Sequence, residues 1–393
     1  MLRLALTLVL LAPVLSAAQV TENHPDGTRA STAVVDKEGR RDGAYTAWWP
    51  GGKLLKEKAV YKDGVLHGIR AVYDEKGKQA GEETWIQGRL IYPRNQAQVA
   101  AGLKQIEAES AAWVAQWPKP SNPAAAGPAD QAKALARLRQ YRWLSGLAHD
   151  VVLDDRYTDC AQEGASLLAK LGKLDHHPKK PADMDEAIFK KAYEGTSRGN
   201  LAMGLGDLTA AVDGWMDDSD PSNIAALGHR RWLMNPSMAA VGFGITGRFS
   251  VVFAHDTARK DAPRQPWQAY PAPGFYPATH FGQRHAWHVS LNPKDYQVDL
   301  KATTFRIYAL DQSLRRLSEE PLPLDYDSGN GDGYGDYRNA RIVRPGLPKD
   351  PAKGQKPGPT YQVAKGRSYE AVVAGLVPKG DAPAEIRFVV TFF

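Results

Sequence analysis

The sequence predicts an α+β multidomain protein in which two strand-rich regions flank a central region of helices and strands. Three observations predict this arrangement: a 25-residue repeat near the N-terminus, apolar residues at helical spacing in the middle of the chain, and β-branched and aromatic runs toward the C-terminus. The chain has 393 residues. At roughly 150 residues per domain this suggests two or three domains, each able to bury its own core.

The N-terminal segment is typical of a cleaved export signal. Residues 1–18 carry one early positive charge, Arg3, then a short apolar run, and end on small residues that suit a signal peptidase. A membrane anchor needs about 20 apolar residues, and the chain turns polar from Gln19 onward. We therefore expect a mature protein without a transmembrane segment that is secreted or periplasmic.

The net charge of the chain is mild. It is +6 at pH 7, and loss of Arg3 with the signal leaves +5. Lysines and arginines are spread along the chain rather than gathered into a basic stripe. This distribution argues against nucleic acid as a partner.

A single cysteine excludes an intramolecular disulfide. Cys160 falls in a predicted helix with apolar neighbours, so we expect a small buried thiol. A nucleophilic thiol would need a histidine partner, and the local sequence supplies none.

Residues 39–88 contain two copies of one unit. Six residues of the first copy recur in the second: Gly39, Gly43, Trp48, Gly52, Lys53 and Glu57 correspond to Gly64, Gly68, Tyr73, Gly77, Lys78 and Glu82. Aromatic residues on strands and glycines at turns predict stacked β-hairpins that share one apolar face. The spacing resembles the membrane occupation and recognition nexus (MORN) repeat, and we assign residues 19–92 to this region.

A helix and a linker are predicted over residues 93–130. Apolar residues at helical spacing between Val99 and Trp117 predict one helix over 94–117, although Ser110 interrupts the apolar stripe. Three prolines with an alanine run then predict an extended linker.

The central region, residues 131–258, predicts helices followed by strands. A helix begins at about 131, with an apolar side that includes Leu135, Leu138, Tyr141 and Leu144. Further helices are predicted at about 155–171 and 206–217, and strands at 241–245 and 249–253.

The last region, residues 259–393, predicts an immunoglobulin-like β-sandwich. Strand-like runs at 287–291, 302–308, 368–374 and 386–392 are separated by segments rich in Gly, Pro and Asp.

Four stretches within the central region resemble the CAP superfamily, which comprises cysteine-rich secretory proteins, antigen 5 and pathogenesis-related proteins. In chain order they are Leu171-Gly-Lys-Leu-Asp-His-His-Pro178, Arg198-Gly-Asn-Leu-Ala-Met-Gly204, Ala211-Val-Asp-Gly-Trp-Met-Asp-Asp218 and Leu227-Gly-His-Arg-Arg-Trp-Leu-Met-Asn-Pro236. The resemblance implies an α-β-α sandwich with two histidines and two acidic residues in one open cleft.

The resemblance places the cleft residues one by one. The first histidine falls on His176, with His177 a near-equal candidate, and the second on His229 in its Gly-His-Arg motif. One acidic position falls on Asp218, a methylene shorter than the usual Glu. The other falls on Gly199, which has no side chain to act as base or ligand.

Two further residues complete the candidate cleft. We expect Asn200 to brace its wall and Arg230 to pair with a nearby acidic group. His229 also has a second interpretation, in which it is not a ligand but braces the Gly-His-Arg turn by hydrogen bonding.

Two functions remain open, so the sequence leaves undecided whether the protein is an enzyme. The first is a non-catalytic module that binds a lipid, a glycan or an envelope protein. The alternative is a metal-assisted hydrolase built on His176, His229 and Asp218. Zinc is the cofactor that His176 and His229 would hold, and two imidazoles alone should hold it weakly because a catalytic zinc site uses three protein ligands. On this reasoning a Gly199→Glu substitution would restore a third ligand and tighten zinc binding, provided that the site geometry is otherwise retained.

Overall fold

The computed structural model describes residues 18–91, 93–117, 126–262, 265–331, 333–346, 360–380 and 382–393. The predicted signal peptide, apart from Ala18, and most of the predicted linker lie outside the described residues. The chain divides into two compact units between Pro93 and Arg94. It is a mixed α/β protein with strand-rich regions, as the sequence predicts.

The first unit is an antiparallel β-meander. Its strands are β1 (Ala18–Asn23), β2 (Arg29–Val35), β3 (Arg41–Trp48), β4 (Leu55–Lys62), β5 (Val65–Leu66), β6 (Gly68–Tyr73), β7 (Gln79–Ile86) and β8 (Arg89–Leu90). They lie in the order β1-β2-β3-β4-β6-β7-β8, with β5 paired to β4. Apart from the short β5, strands that follow one another in the sequence are therefore neighbours in the sheet.

The β3–β4 and β6–β7 hairpins share one local geometry. Gly43 and Gly68 occupy equivalent positions with φ of 133° and 116°, a region that residues with a Cβ rarely adopt. Tyr61 lies opposite Gly43, and Trp85 lies opposite Gly68. The repeat in the sequence thus corresponds to a repeated glycine–aromatic pair across two hairpins.

The second unit contains the helices of the described chain. They are α1 (Gln96–Gln116), α2 (Pro128–Leu144), α3 (Asp155–Leu171), α4 (Glu186–Ser197), α5 (Leu208–Asp217) and α6 (Gly228–Leu233). Side chains of Asn95, Asp154, Asp185 and Asp207 cap the N-termini of α1, α3, α4 and α5. Gly172, at φ 69°, ends α3.

Helix α1 packs on α2 through a face that is not wholly apolar. Val99, Ile106 and Val114 are buried there together with Ser110. The Ser110 hydroxyl accepts a hydrogen bond from Arg139 of α2 at 3.2 Å. The polar residue that interrupts the apolar stripe therefore satisfies a buried guanidinium.

A four-stranded sheet lies at the centre of this unit. Its strands are β9 (Val152–Leu153), β10 (Gly199–Met203), β11 (Ala240–Thr246) and β12 (Phe249–Phe253). Their order is β10-β12-β11-β9, antiparallel except for β9. Helix α3 packs on β11 and β12, α2 packs on α5, and α5 contacts β10 and β11.

Glycines allow α3 to approach its neighbours backbone to backbone. A Cβ on Gly242 would lie under 3.0 Å from the backbone of Thr158, and one on Gly195 of α4 would meet the carbonyl of Cys160 as closely. Any side chain at these glycines would push α3 away from the sheet or from α4.

Strands dominate the C-terminal part of the second unit. They are β13 (Trp267–Tyr270), β14 (Gly274–Tyr276), β15 (Trp287–Leu291), β16 (Tyr296–Gln297), β17 (Thr304–Leu310), β18 (Leu324–Ser328), β19 (Arg338–Pro345), β20 (Ser368–Ala374), β21 (Val377–Pro378) and β22 (Ile386–Phe392). One sheet has the order β13-β15-β19-β18. Another contains β22-β20-β17, with β14 parallel to β22, and β16 pairs with β21.

An aromatic cluster joins those two sheets. The ring of Trp287 on β15 lies 6.5 Å from Phe305, 6.3 Å from Tyr369 and 6.5 Å from Phe392, which belong to β17, β20 and β22. Its indole nitrogen donates to the Tyr361 hydroxyl at 2.9 Å, so the buried polar atom has a partner.

Several elements were not predicted from the sequence, among them two helices and one strand of the central region. Helices α4 and α6 and strand β10 all lie beside the residues that the sequence singles out. Among the described residues, every helix is too short or too polar to cross a bilayer.

Candidate functional site

Asp218 and His229 form the best-defined polar pair of the candidate site. Asp218 is the C-cap of α5 and adopts φ 45°. Its carboxylate lies 2.8 Å from Nδ1 of His229, and its side chain is 1% exposed against 20% for His229. Because a carboxylate only accepts, Nδ1 carries the proton and Nε2 is left as the open nitrogen of the ring.

The same carboxylate anchors the start of α6. Leu227, just before the helix, adopts φ 49°, and the backbone N–H of Arg230 donates to Oδ2 of Asp218 at 3.3 Å. Both oxygens of Asp218 are thus engaged. The aspartate reaches His229 despite being one methylene shorter than the Glu expected from the resemblance.

That Arg230 pairs with a nearby acidic group stays a prediction: the charges of Asp218 and Asp217 act on its guanidinium, but its hydrogen bonds go elsewhere. Among the described residues its hydrogen bonds go to the carbonyl oxygens of Met216, Asp217 and Ala286, and to Ser219 and His288. Complete burial lowers the pKa of Arg230. Carbonyl oxygens satisfy this buried cation because the last two residues of α5 and the residue before β15 direct main-chain oxygens at it.

Asn200 holds α6 against the central sheet. It is 1% exposed on β10, and its amide nitrogen donates to the carbonyl of His229 at 3.0 Å. The bond fixes the backbone of His229 rather than its ring. This geometry is that of a bracing residue, as the sequence suggests.

The structure gives the two neighbouring histidines different surroundings. Nδ1 of His176 lies 2.8 Å from the carbonyl of Thr196, so it donates there and leaves Nε2 open. Nδ1 of His177 lies 3.2 Å from the hydroxyl of Tyr193 on the outer side of α4. His176 is therefore held at the α4–β10 junction, whereas His177 faces an exposed aromatic residue.

Sequence reasoning missed His255. Its ring stacks on Trp232 of α6 at 3.9 Å. Burial, with the charges of Arg198 and His176, lowers its pKa to about 4. His255 thus packs directly against α6, the helix that carries His229. The sequence feature that could have indicated His255 is its position two residues after the predicted strand at 249–253.

These side chains all belong to the central region, and a family comparison covers that region. Residues 135–250 match the model of the Cysteine-rich secretory protein family, CAP. This segment is a CAP domain. The match confirms the resemblance seen in the four sequence stretches.

Other comparisons add little about the CAP domain. The solved structure of an extracellular protein containing a SCP domain from Bacillus anthracis str. Ames matches with 14% identity and a TM-score of 0.22. That match covers 61% of this chain and 66% of the other chain, just under two thirds of its length. No curated protein matches this chain significantly.

Gly199 is the point where this CAP domain departs most from the expected cleft. A Cβ on Gly199 would lie under 3.0 Å from the carbonyl of Gly195 and 2.9 Å from a methyl of Val251. The prediction that Gly199→Glu adds a ligand holds only if the site geometry is retained, and this contact means that the neighbouring backbone or Val251 would have to move to admit a side chain.

The donor set of the CAP domain does not complete a zinc site. Within the described ranges, no three His, Cys, Asp or Glu side chains are grouped so that they could hold a metal ion. His176 and His229 each offer an open Nε2, Gly199 offers nothing, and both oxygens of Asp218 are engaged. The arrangement can accept hydrogen bonds or a proton at these nitrogens.

Proposed function

We propose that this chain is an exported CAP-domain protein that binds a lipid, glycan or protein ligand at the cell envelope or outside the cell, without catalysing a reaction on it. Export follows from the predicted signal peptide at residues 1–18. The protein would then be secreted or periplasmic.

The packing at Gly199 carries the proposal of a binding role. A cleft that works on a bound group needs acidic or nucleophilic side chains facing the two histidines. Position 199 is closed to any side chain by Gly195 and Val251. The side chains of Asn200 and Arg230 donate hydrogen bonds to backbone carbonyls. These bonds make the cleft wall rigid, and a rigid wall supports recognition of a ligand by shape and hydrogen bonding.

The flanking regions have proposed roles as well. We propose that residues 19–92 form MORN-type repeats and that residues 259–393 form an immunoglobulin-like β-sandwich, with the CAP domain between them. The repeated glycine–aromatic pairs and the aromatic cluster around Trp287 support these assignments. In this proposal both regions position the CAP domain and contribute no catalytic residues.

A hydrolase remains the second candidate because of one observation. Asp218 holds the His229 ring through Nδ1, so Nε2 could take a proton from water or from a hydroxyl. The alternative therefore depends on His229 as base and on Asp218 as the residue that orients it. Zinc, if bound by His176 and His229, would be held weakly.

Capture of ligand by the cleft tests the binding proposal. The mature chain, residues 19–393, would be immobilised beside a His176→Gln/His229→Gln double variant and exposed to envelope extract. Retained lipids, glycans and proteins would be quantified separately by mass spectrometry. We expect one class to be retained about tenfold more by the wild type, a difference of about 1.4 kcal/mol in binding free energy.

A matched histidine variant controls for nonspecific loss. His149 is half-buried, and burial lowers its pKa, while the charges that act on it belong to Asp150, Glu109, Arg139 and Arg94 rather than to cleft residues. His149→Gln should retain ligand as the wild type does. Equal retention by the double variant would refute the cleft as the binding site, and ester hydrolysis that disappears in His229→Gln alone would favour the hydrolase.

A further inference from the structure

A small polar cavity lies outside the cleft, where α6 and the loop after it meet β13 and β15. Its volume is about 10 Å³, which is room for roughly one water-sized particle. The lining residues that matter here are Arg231, Asn235, Gln268, His288, Ser290 and Tyr334.

Strand register gathers three of these side chains on one face. Gln268 lies directly opposite Ser290, and His288 is two residues before Ser290 on the same strand. Side chains two residues apart on a strand share a face. Gln268, His288 and Ser290 are 4%, 1% and 3% exposed, so all three are buried on the cavity side of the sheet.

Two of the buried polar atoms lack a partner within the described chain. The amide nitrogen of Gln268 and the hydroxyl of Ser290 make no hydrogen bond to any described residue. A buried donor without a partner is unfavourable, because it has lost its hydrogen bonds to water and gained none in the protein. Both groups line the cavity, so a particle within it would satisfy them.

His288 and Arg231, which also line the cavity, carry further hydrogen-bond donors. A guanidinium nitrogen of Arg230 lies 3.2 Å from Nδ1 of His288 and can only donate to it, so the proton of the neutral ring is on Nε2. Burial, with the charges of Arg230 and Arg231, lowers the pKa of His288 well below its usual value and keeps the ring neutral. Arg231 adds positive charge, and the described lining includes no Asp or Glu.

We propose that this cavity binds a monoatomic anion, chloride. An amide N–H, a hydroxyl, an imidazole N–H and a guanidinium converge on a space that is too small for phosphate, sulfate or a carboxylate. The anion would join α6 of the CAP domain to β13 and β15 of the C-terminal region. The proposal does not depend on the proposed ligand cleft, although Arg230, a candidate cleft residue, contacts His288 of this cavity.

Thermal unfolding of the mature chain tests the proposal. A ligand that binds only the folded state raises the unfolding temperature as its concentration rises. We expect sodium chloride and sodium bromide to raise Tm by a few degrees above sodium gluconate at equal ionic strength. Ser290→Ala and Gln268→Met should lose this halide-specific shift. Ser250→Ala, which alters an equally buried serine on β12, should keep it.

Anomalous diffraction from a bromide-soaked crystal of the wild-type chain gives a second readout that needs no variant. We expect a bromide peak within hydrogen-bond distance of Gln268 Nε2 and Ser290 Oγ. A cavity that contains water only, with no bromide peak, would overturn the proposal. So would a Tm that follows ionic strength regardless of the anion.

Discussion

Nδ1 of His229 lies 2.8 Å from Oδ1 of Asp218, and this bond joins the end of α5 to the start of α6. Asp218 reaches this position only because its backbone adopts the left-handed region, at φ 45°. Asn and Asp tolerate that region better than most residues. The left-handed cap and the short side chain therefore act together to orient the imidazole.

Asp218→Asn should lower the free energy of unfolding by about 1–2 kcal/mol, since it removes the charge from this bond but keeps a residue that suits the backbone. His229→Gln should lower the free energy of unfolding by a similar amount. Because the two side chains contact each other, their costs should not add, and a double-mutant cycle by urea unfolding should show coupling of about 1 kcal/mol. Strict additivity would show that the bond contributes nothing to stability.

Gly199→Ala should destabilise the CAP domain by about 1–3 kcal/mol through overpacking, and Gly199→Glu should do so by more. The added Cβ would meet the Gly195 carbonyl and a Val251 methyl. Urea unfolding of the variants and the wild type measures this loss of unfolding free energy. Gly127→Ala is the matched control, because a Cβ there has nothing within 4 Å. Equal stability of the two alanine variants would mean that the β10 backbone yields at little cost.

The sequence predicted the long helices well and the site only in part. The helix predicted at about 155–171 corresponds to α3, and the strand predicted at 249–253 corresponds to β12. Helix α6 has six residues, too few for a periodic signal, and β10 begins at a glycine inside the resemblance motif. Contacts such as His255 with Trp232 join residues far apart in the chain, so no local pattern could indicate them.

Acid should weaken the junction between the CAP domain and the C-terminal strands. Burial lowers the pKa of His280 to about 3, with Arg137 adding to the effect, and lowers the pKa of His285 to about 4. The unfolded chain therefore binds these protons first, below about pH 6.5. The free energy of unfolding should be largest above that pH and should fall toward pH 4, by at most about 1.4 kcal/mol per pH unit for each histidine.

Urea unfolding of wild type, His280→Gln and His285→Gln between pH 7.5 and 4.5 measures this dependence. Each variant should show a flatter curve than the wild type. His177→Gln, at an exposed histidine, should leave the slope unchanged. Parallel curves for all four proteins would contradict the assignment to the buried histidines.

Cys160 should react slowly with a soluble disulfide reagent in the native state. The thiol is 1% exposed, in agreement with the sequence-based prediction of burial. Burial and the nearby Glu194 carboxylate raise its pKa from 9.0 to about 11. The reactive thiolate is then roughly a hundredfold scarcer at pH 8. Labelling with and without denaturant measures the ratio, and equal rates would show that the helix opens freely.

Zinc binding and hydrolysis decide between the two functions of the cleft. With two imidazoles and no third ligand, calorimetry on the wild type should give a zinc Kd no tighter than on the order of 0.1 mM, about −5.5 kcal/mol. His229→Ala should weaken even that, whereas His149→Gln should not change it. Ester hydrolysis should stay at the background rate in all three proteins. Tight zinc binding by the wild type that disappears in His229→Ala, together with metal-dependent hydrolysis, would refute the binding role and establish an enzyme.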